Sequence, residues 1–334
     1  MKRLGYLYNK ISTYENLRVA FLKAVKGKHD RQEVIAFRNN FENEIEKLKD
    51  QIENHAPDIG HYHFFRVYDP KRRLICAASF PERVLHHAIM NICEPILDAY
   101  AIYDSYACRK GKGLHKCLHR AQGYCRRFDW FLKMDIRRYF DSIDHMIALR
   151  LLSRRFKDRE LLLLFQRLLD TYHIQTGQGV PIGNLISQHL ANFYLGPFDH
   201  WIKEELGVKG YVRYMDDFLV FGGNKNDLKI KLDRIRAYLK DQLKLELKEN
   251  VQLNRCKCGI PFLGMRVFPN VIRLSRPSKQ RFSKKFRYYE HQWIKGKWSE
   301  KTLARRMTPL VQFTKAANTN DFRRSIIQRF GVLS

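Results

Sequence analysis

Residues 211–221, Tyr-Val-Arg-Tyr-Met-Asp-Asp-Phe-Leu-Val-Phe, carry the strongest structural signal in the chain. Two apolar arms flank Met215–Asp216, a pattern that predicts a β-hairpin with a tight turn. Asp216 and Asp217 would then be neighbours in apolar surroundings, where adjacent carboxylates repel each other unless a cation is bound. An exposed turn is the ordinary alternative, because Asp is a common turn residue. The apolar arms favour the buried hairpin.

A second apolar segment, Trp-Phe-Leu-Lys-Met-Asp, reads as a buried strand that ends on Asp135. If this strand lies beside the hairpin, Asp135 meets Asp216 and Asp217 at one sheet edge. Three carboxylates there can hold two Mg²⁺ ions about 3.5–4 Å apart, an arrangement used in phosphoryl transfer. The two segments together therefore predict a metal-dependent site.

The composition predicts a polyanionic partner. The 334 residues include 62 Lys and Arg against 34 Asp and Glu, a formal net charge of +28. Such an excess is unfavourable for a compact chain and is typical of proteins that bind nucleic acid. No apolar run approaches the roughly 20 residues of a membrane span, and no secretory segment opens the chain. With seven cysteines, an odd number, we expect reduced thiols, a cytoplasmic location and no membrane partner.

The remaining pattern predicts an α+β fold, with an antiparallel sheet and helices on one face. Helices are predicted, each as a single element, at 34–52, 81–100, 114–127, 144–156, 159–172, 184–206 and 228–243. Further strands are predicted at 61–68, 72–79, 244–253 and 260–268, the first two forming a hairpin with a basic tip. Asp141 and Asp144 open a helix, where capping is their ordinary role. Residues 271–334 hold 16 Lys and Arg against 3 Asp and Glu, in a helical tail interleaved with aromatic residues.

These motifs resemble the palm of a reverse transcriptase, and the similarity extends over most of the chain. The resemblance implies a right-hand polymerase with fingers, palm and helical thumb. Residues 1–130 and 146–209 would form the fingers with parts of the palm. The catalytic palm would comprise 131–145 and 210–268, and the basic thumb 269–334.

The resemblance implies catalytic and metal-binding roles. Asp135 and Asp216 would bridge two Mg²⁺ ions, with Asp217 and Ile136 completing the metal site and Mn²⁺ as a possible substitute ion. Lys248 resembles a lysine that protonates the pyrophosphate leaving group. A solvated surface position is the alternative for Lys248, because its segment alternates polar and apolar residues.

The resemblance also implies a site for dNTPs. The basic tip of the 61–79 hairpin corresponds to a triphosphate clamp, in which Arg73 ranks before Lys71 because a planar guanidinium suits bidentate phosphate contact. Phe140 corresponds to an aromatic residue that clashes with a ribose 2′-OH, although core packing explains it equally well. The whole predicted set is Lys71, Arg73, Phe140, Ile182, Gly183 and Gln188.

Template and primer would be held by basic loops and by turns close to the carboxylates. The loop 104–113 carries cations between small residues, and the turn at Leu263–Gly264 resembles one that holds the primer end. The predicted contacts with nucleic acid are Arg109, Lys112, Ser187, Tyr214, Met215, Phe262, Leu263 and Gly264.

Residues 179–188, Gly-Val-Pro-Ile-Gly-Asn-Leu-Ile-Ser-Gln, distinguish classes of reverse transcriptase. Retroviral and group II intron enzymes usually read Gln-Gly-x-x-x-Ser-Pro here, whereas this chain has Ile182 and Gln188 in place of Gln and Pro. The pattern resembles the reverse transcriptases of diversity-generating retroelements, although ordinary packing at a helix start is an alternative for both residues. That family implies error-prone copying at template adenines, mutagenic retrohoming and a bacterial, archaeal or phage origin. Its implied partners are template RNA, the cDNA duplex, dNTPs and a small basic oligomeric accessory protein.

Two alternatives stay open at this level. A retron-type or group II intron-derived reverse transcriptase would share the carboxylates. The Val-Thr-Gly signature usual in retron thumbs is missing, and from the length of the segment after Gly264 we expect a thumb and no maturase or nuclease domain. A polymerase-like RNA-binding assembly protein without catalysis is the non-enzymatic alternative, which the three intact carboxylates disfavour.

Overall fold

The computed structural model describes residues 3–69 and 72–331, in which α-helices accompany antiparallel sheets. The helices are α1 Tyr8–Ile11, α2 Tyr14–Val25, α3 Gln32–Asn39, α4 Phe41–Glu53, α5 Phe80–Tyr100, α6 Leu114–Arg127, α7 His145–Ser153, α8 Arg159–Asp170, α9 Leu185–Tyr194, α10 Gly196–Glu204, α11 Lys225–Leu243, α12 Arg276–Ile294, α13 Glu300–Thr314 and α14 Asn320–Phe330. The strands are β1 Tyr62–Val67, β2 Arg73–Ala78, β3 Trp130–Asp135, β4 Gly210–Tyr214, β5 Asp217–Gly222, β6 Gln252–Arg255, β7 Ile260–Phe262, β8 Met265–Val267 and β9 Ile272–Leu274. The predicted α+β class is confirmed.

The chain forms two compact units, each assembled from separate segments. The first comprises residues up to Ile102 together with Ile136–Trp201 and Arg236–Glu246. The second comprises Tyr103–Asp135, Ile202–Ile235 and the chain from Leu247 onward. The predicted division into fingers, palm and thumb stays a prediction.

The second unit is built on a four-stranded antiparallel sheet with the order β4–β5–β3–β6. The inner strands β3 and β5 are apolar on both faces, so the successive residues Phe131 and Leu132 are buried, as are Phe218 and Leu219. Helix α6 packs Leu118 and Ala121 into the same core. Burial on both faces explains why these strands read as continuous apolar runs in the sequence.

Several elements match their sequence patterns closely. β3 and α6 have the predicted bounds, and β1 pairs with β2 as the predicted hairpin. The predicted helix at 81–100 is α5, where the Ser79 hydroxyl accepts a hydrogen bond from the Glu82 N–H and Pro81 lies in the first turn. A serine cap followed by proline is a strong local start signal, because the serine hydroxyl accepts from an unpaired N–H of the first turn and proline has no N–H to leave unpaired.

Two predicted long helices are wrong, because each is interrupted. The helix expected at 34–52 breaks at Asn40, whose backbone has φ −121° and ψ 34°. The helix expected at 184–206 breaks after Tyr194, and Pro197 near the start of α10 has no N–H to continue the ladder. The apolar periodicity runs through both breaks, because residues on either side of each break are buried.

The strands predicted after α11 also need correction. Residues 244–251 form no strand, although Leu247 lies in a single β-bridge, and the strand is confined to Gln252–Arg255. The strand predicted at 260–268 is a hairpin of β7 and β8, because Leu263 and Gly264 take positive φ values of 49° and 79°. The predicted helical tail begins with strand β9, and its three helices follow. Within the described ranges, no helix is both long and apolar enough to cross a bilayer.

Candidate active site

The antiparallel register of β3 and β5 brings the predicted carboxylates together. Asp135, the last residue of β3, is paired with Asp217, the first residue of β5. Asp216 precedes Asp217 in the turn, and Met215 adopts a left-handed backbone with φ 57°. The three acids therefore lie at one edge of the sheet in the second unit.

Two lysines contact these carboxylates. The Lys248 ammonium lies 2.5 Å from Asp135 Oδ1, and the Lys248 N–H donates to the Asp135 carbonyl at 2.8 Å. Lys133, two residues before Asp135 on β3, places its ammonium 3.3 Å from Asp217 Oδ1. Lys248 was predicted as an acid catalyst, and in this structure it is the ion-pair partner of Asp135. Lys133 was not predicted, although a lysine inside an apolar strand was a usable signal.

The carboxylate of Asp217 is perturbed by its surroundings. Burial, together with the neighbouring Asp135 and Asp216, raises its pKa to about 7 against the opposing effect of Lys133. Despite its contact with Lys133, Asp217 Oδ1 is buried without a hydrogen bond of good geometry. Such a carboxylate is stabilised in its charged form by a cation.

The donor chemistry of this edge suits a divalent ion, because Mg²⁺ prefers carboxylate oxygens. The orphaned Asp217 Oδ1 is consistent with that chemistry. Across residues 3–69 and 72–331, however, no three His, Cys, Asp or Glu side chains are arranged closely enough to hold a metal together. Lys133 and Lys248 instead neutralise Asp217 and Asp135 in this structure.

Arg213 holds the turn that carries Asp216. Its side chain is fully buried in β4, and its guanidinium donates to the Met215 carbonyl at 3.1 Å and to Ser105 Oγ at 3.0 Å. The Arg213 N–H donates to the Asp104 carbonyl at 3.0 Å. Sequence reasoning missed this residue, although an arginine within an apolar arm was a visible signal that a buried polar partner exists.

The turn at Leu263–Gly264 is held against the start of α12. The Gly264 carbonyl accepts hydrogen bonds from Ser278 Oγ at 2.7 Å and from the Ser275 N–H at 3.1 Å. A Cβ on Gly264 would lie 2.9 Å from the Phe313 ring. Phe262 is buried, so its predicted contact with nucleic acid gains no support from the structure. Tyr214 packs partly buried against the same core.

The cations predicted to contact nucleic acid in the loop 104–113 also organise that loop. Arg109 donates to the Ser105 carbonyl at 2.9 Å. The Lys112 ammonium donates to the Tyr103 carbonyl at 2.8 Å and lies 3.4 Å from the centre of the Tyr103 ring. Their role toward nucleic acid stays a prediction.

The residues predicted to hold dNTPs belong to the first unit. Arg73 is exposed at the start of β2, whereas Lys71 lies outside the described residues. Phe140 is partly buried in a short 3₁₀ turn, and its carbonyl accepts a hydrogen bond from the Val180 N–H at 2.9 Å. The Ile182 carbonyl accepts one from the Cys76 N–H of β2 at 2.8 Å.

Three further predicted residues differ in exposure. Gly183 is exposed, and Gln188 is partly buried on α9. Ser187 is buried, which gives no support to its predicted contact with nucleic acid.

Ile136, predicted to bind metal, is fully buried in the first unit. Asp144 caps α7 by accepting from the Ile147 N–H at 2.9 Å, as its ordinary role predicts.

Comparison with known proteins identifies the family. Residues 68–267, more than half of the chain, match the family described as reverse transcriptase (RNA-dependent DNA polymerase). Protein YkfC of Escherichia coli (strain K12) is 25% identical, with 67% of this chain and 71% of that protein covered. The group II intron-encoded protein LtrA of Lactococcus lactis subsp. cremoris is 22% identical, with 63% and 46% covered.

A solved structure supports the fold. Telomerase from Candida albicans, in complex with a fragment of telomeric RNA, aligns with a TM-score of 0.50 at 10% identity. The alignment covers 80% of this chain and 56% of the telomerase chain. This chain thus spans about half the length of the group II intron protein and of the telomerase. It belongs to the reverse transcriptase family and has the right-hand polymerase fold of that family.

Proposed function

We propose that this chain is an RNA-directed DNA polymerase that copies a template RNA into cDNA by two-metal nucleotidyl transfer. The observation that carries the proposal is the register of β3 and β5, which pairs Asp135 with Asp217 beside Asp216. Two-metal polymerisation needs carboxylates close together, and the antiparallel register brings Asp135 and Asp217 to the same end of adjacent strands. Family membership supports the same reaction.

The chain's own groups have distinct parts in the proposed reaction. Asp135 and Asp216 would hold Mg²⁺, or Mn²⁺ in its place, with Asp217 and the backbone of Ile136 supporting. When bound, such ions lower the pKa of the primer 3′-OH and neutralise charge on the reacting phosphate. Lys248 would leave Asp135 as the ions bind and donate a proton to the pyrophosphate. Arg73, Lys71 and Phe140 would hold the dNTP.

The test is incorporation of labelled dNTP on a primed RNA with and without a chelator. We expect Mg²⁺-dependent extension by the wild type and none by Asp216→Ala, because the variant lacks one of the carboxylates proposed to hold the ions. Asp241→Ala, which removes an exposed carboxylate of α11, is the matched control and should extend like the wild type. Equal extension by the wild type and Asp216→Ala would contradict the proposal and favour the non-catalytic RNA-binding alternative.

We further propose that the enzyme belongs to a diversity-generating retroelement and works with template RNA and a small basic accessory protein. The support is the pair Ile182 and Gln188, which departs from the Gln and Pro usual in group II intron enzymes. A group II intron-type function is the second candidate, favoured by the similarity to LtrA. Near-repeats in the adjoining DNA that differ at adenines would support the retroelement, and an intron flanking the gene would support the alternative.

A further inference from the structure

The strand β2 and the segment before α9 are joined by side-chain and backbone hydrogen bonds within the first unit. Asn184 Oδ1 accepts a hydrogen bond from the Ala78 N–H at 3.2 Å. Two residues earlier, the Ile182 carbonyl accepts one from the Cys76 N–H at 2.8 Å. β2 begins at Arg73, which is predicted to bind the triphosphate of a dNTP. The two hydrogen bonds therefore connect the strand that carries Arg73 to the segment that carries Ile182.

Between these bonds the two segments approach as closely as backbone allows. Gly183 has φ +121°, and a Cβ there would lie 2.8 Å from Ile75 Cγ2 and 3.0 Å from the Cys76 carbonyl oxygen. Any other residue at 183 would push the segment away from β2. The position of the segment is therefore sensitive to small changes at its anchors.

Helix capping does not explain the asparagine. Asn184 occupies the N-cap position of α9, where asparagine usually accepts a hydrogen bond from the first turn. Its side chain makes no such bond and points to Ala78 instead. The side chain of Asn184 therefore connects the start of α9 to β2 and does not cap α9.

The amide nitrogen of Asn184 is buried without a hydrogen-bond partner, as is His86 Nδ1. The small cavity beside them, about 10 Å³, is lined by six apolar residues and by Tyr62, His86, Asn184 and Ser187. The side chain of Asn184 is therefore held by its oxygen alone.

We propose that Asn184 is a positioning residue for nucleotide selection, which fixes the Ile182 segment to β2 through the hydrogen bond that its Oδ1 accepts from the Ala78 N–H. Arg73 and Ile182 then move as one body. The inference rests on the proposed function, because only there do Arg73 and Ile182 contact a nucleotide.

The experiment compares Asn184→Ala with Asn16→Ala in the full-length protein. Asn16 donates from its own amide to the carbonyls of Ile11 and Ala88 at 3.0 and 3.1 Å, so its loss removes similar bonds far from β2 in sequence. We expect Asn184→Ala to raise the KM for dNTP and the misincorporation frequency, with kcat less affected. Asn16→Ala should lower the melting temperature and leave both quantities unchanged.

Amide hydrogen exchange provides a readout that does not need catalysis. Exchange at 76–78 should accelerate about tenfold in Asn184→Ala, as expected for the loss of one buried hydrogen bond, and should not change in Asn16→Ala. Unchanged exchange at 76–78, or a wild-type KM and error frequency in an active Asn184→Ala protein, would overturn the inference. A wild-type protein that incorporates no dNTP would instead overturn the proposed function, and the exchange result would still decide whether Asn184 couples the two segments.

Discussion

At the scale of single residues, Arg213 illustrates how a buried cation supports a cluster of acids. Its guanidinium bonds to the Met215 carbonyl inside the turn and to Ser105 Oγ. Arg213→Met would remove these hydrogen bonds of a fully buried cation, so we expect the free energy of unfolding to fall by about 2–4 kcal/mol. Urea denaturation followed by circular dichroism measures the change. Arg31→Met, at an exposed ion pair, is the control, and equal midpoints for the two variants would contradict the prediction.

Ile182 bears on fidelity at the same scale. An apolar side chain in place of a hydrogen-bonding Gln would hold the nascent base pair less firmly, so Ile182→Gln should lower misincorporation opposite template adenine. Sequencing of primer-extension products on RNA measures the error frequency at each template base. An adenine error frequency equal to that of the wild type would show that Ile182 does not set fidelity.

At the scale of elements, the β7–β8 hairpin depends on its turn. Gly264 has φ +79°, and a Cβ would contact Phe313 at 2.9 Å, whereas Gly111 has φ +74° with open space around it. Alanine at either position incurs about 1–2 kcal/mol of left-handed backbone strain. Gly264→Ala should therefore lower the melting temperature more than Gly111→Ala, and equal shifts in calorimetry would indicate that Phe313 moves aside freely.

At the scale of the whole molecule, the net charge of +28 predicts salt-dependent binding of nucleic acid. Lys284 and Lys301 are exposed on α12 and α13, in the basic segment 271–334. If both contact phosphates, the double alanine variant should reduce the slope of log K against log salt by about 1.4–1.8. Fluorescence anisotropy with a primed RNA measures the slope. The control is the double variant Lys26→Ala with Lys47→Ala, which removes two positive charges from the first unit. An equal reduction of the slope in both double variants would argue against a specific contact of nucleic acid with the basic segment 271–334.

Prediction from sequence succeeded where the signal is local. β3, the β4–β5 hairpin and α6 were predicted almost residue by residue, because continuous apolar runs and helical periodicity are properties of near neighbours. It failed where tertiary packing selects between local options. Asn40 and Pro197 interrupt helices whose apolar period continues, and Leu263 with Gly264 folds one expected strand back on itself.

The sequence alone determined which residues could supply carboxylates, that Asp135 ends a strand, and that Asp216 and Asp217 lie at a turn. The tertiary structure decided what these groups contact. Lys248 meets Asp135 across 113 residues of chain, and Asn184 meets Ala78 across 106. Such contacts depend on how strands and helices pack, and no pattern among near neighbours encodes that packing. The candidate catalytic groups could therefore be identified from the sequence, whereas the partner of each charged or polar group could be identified only from the fold.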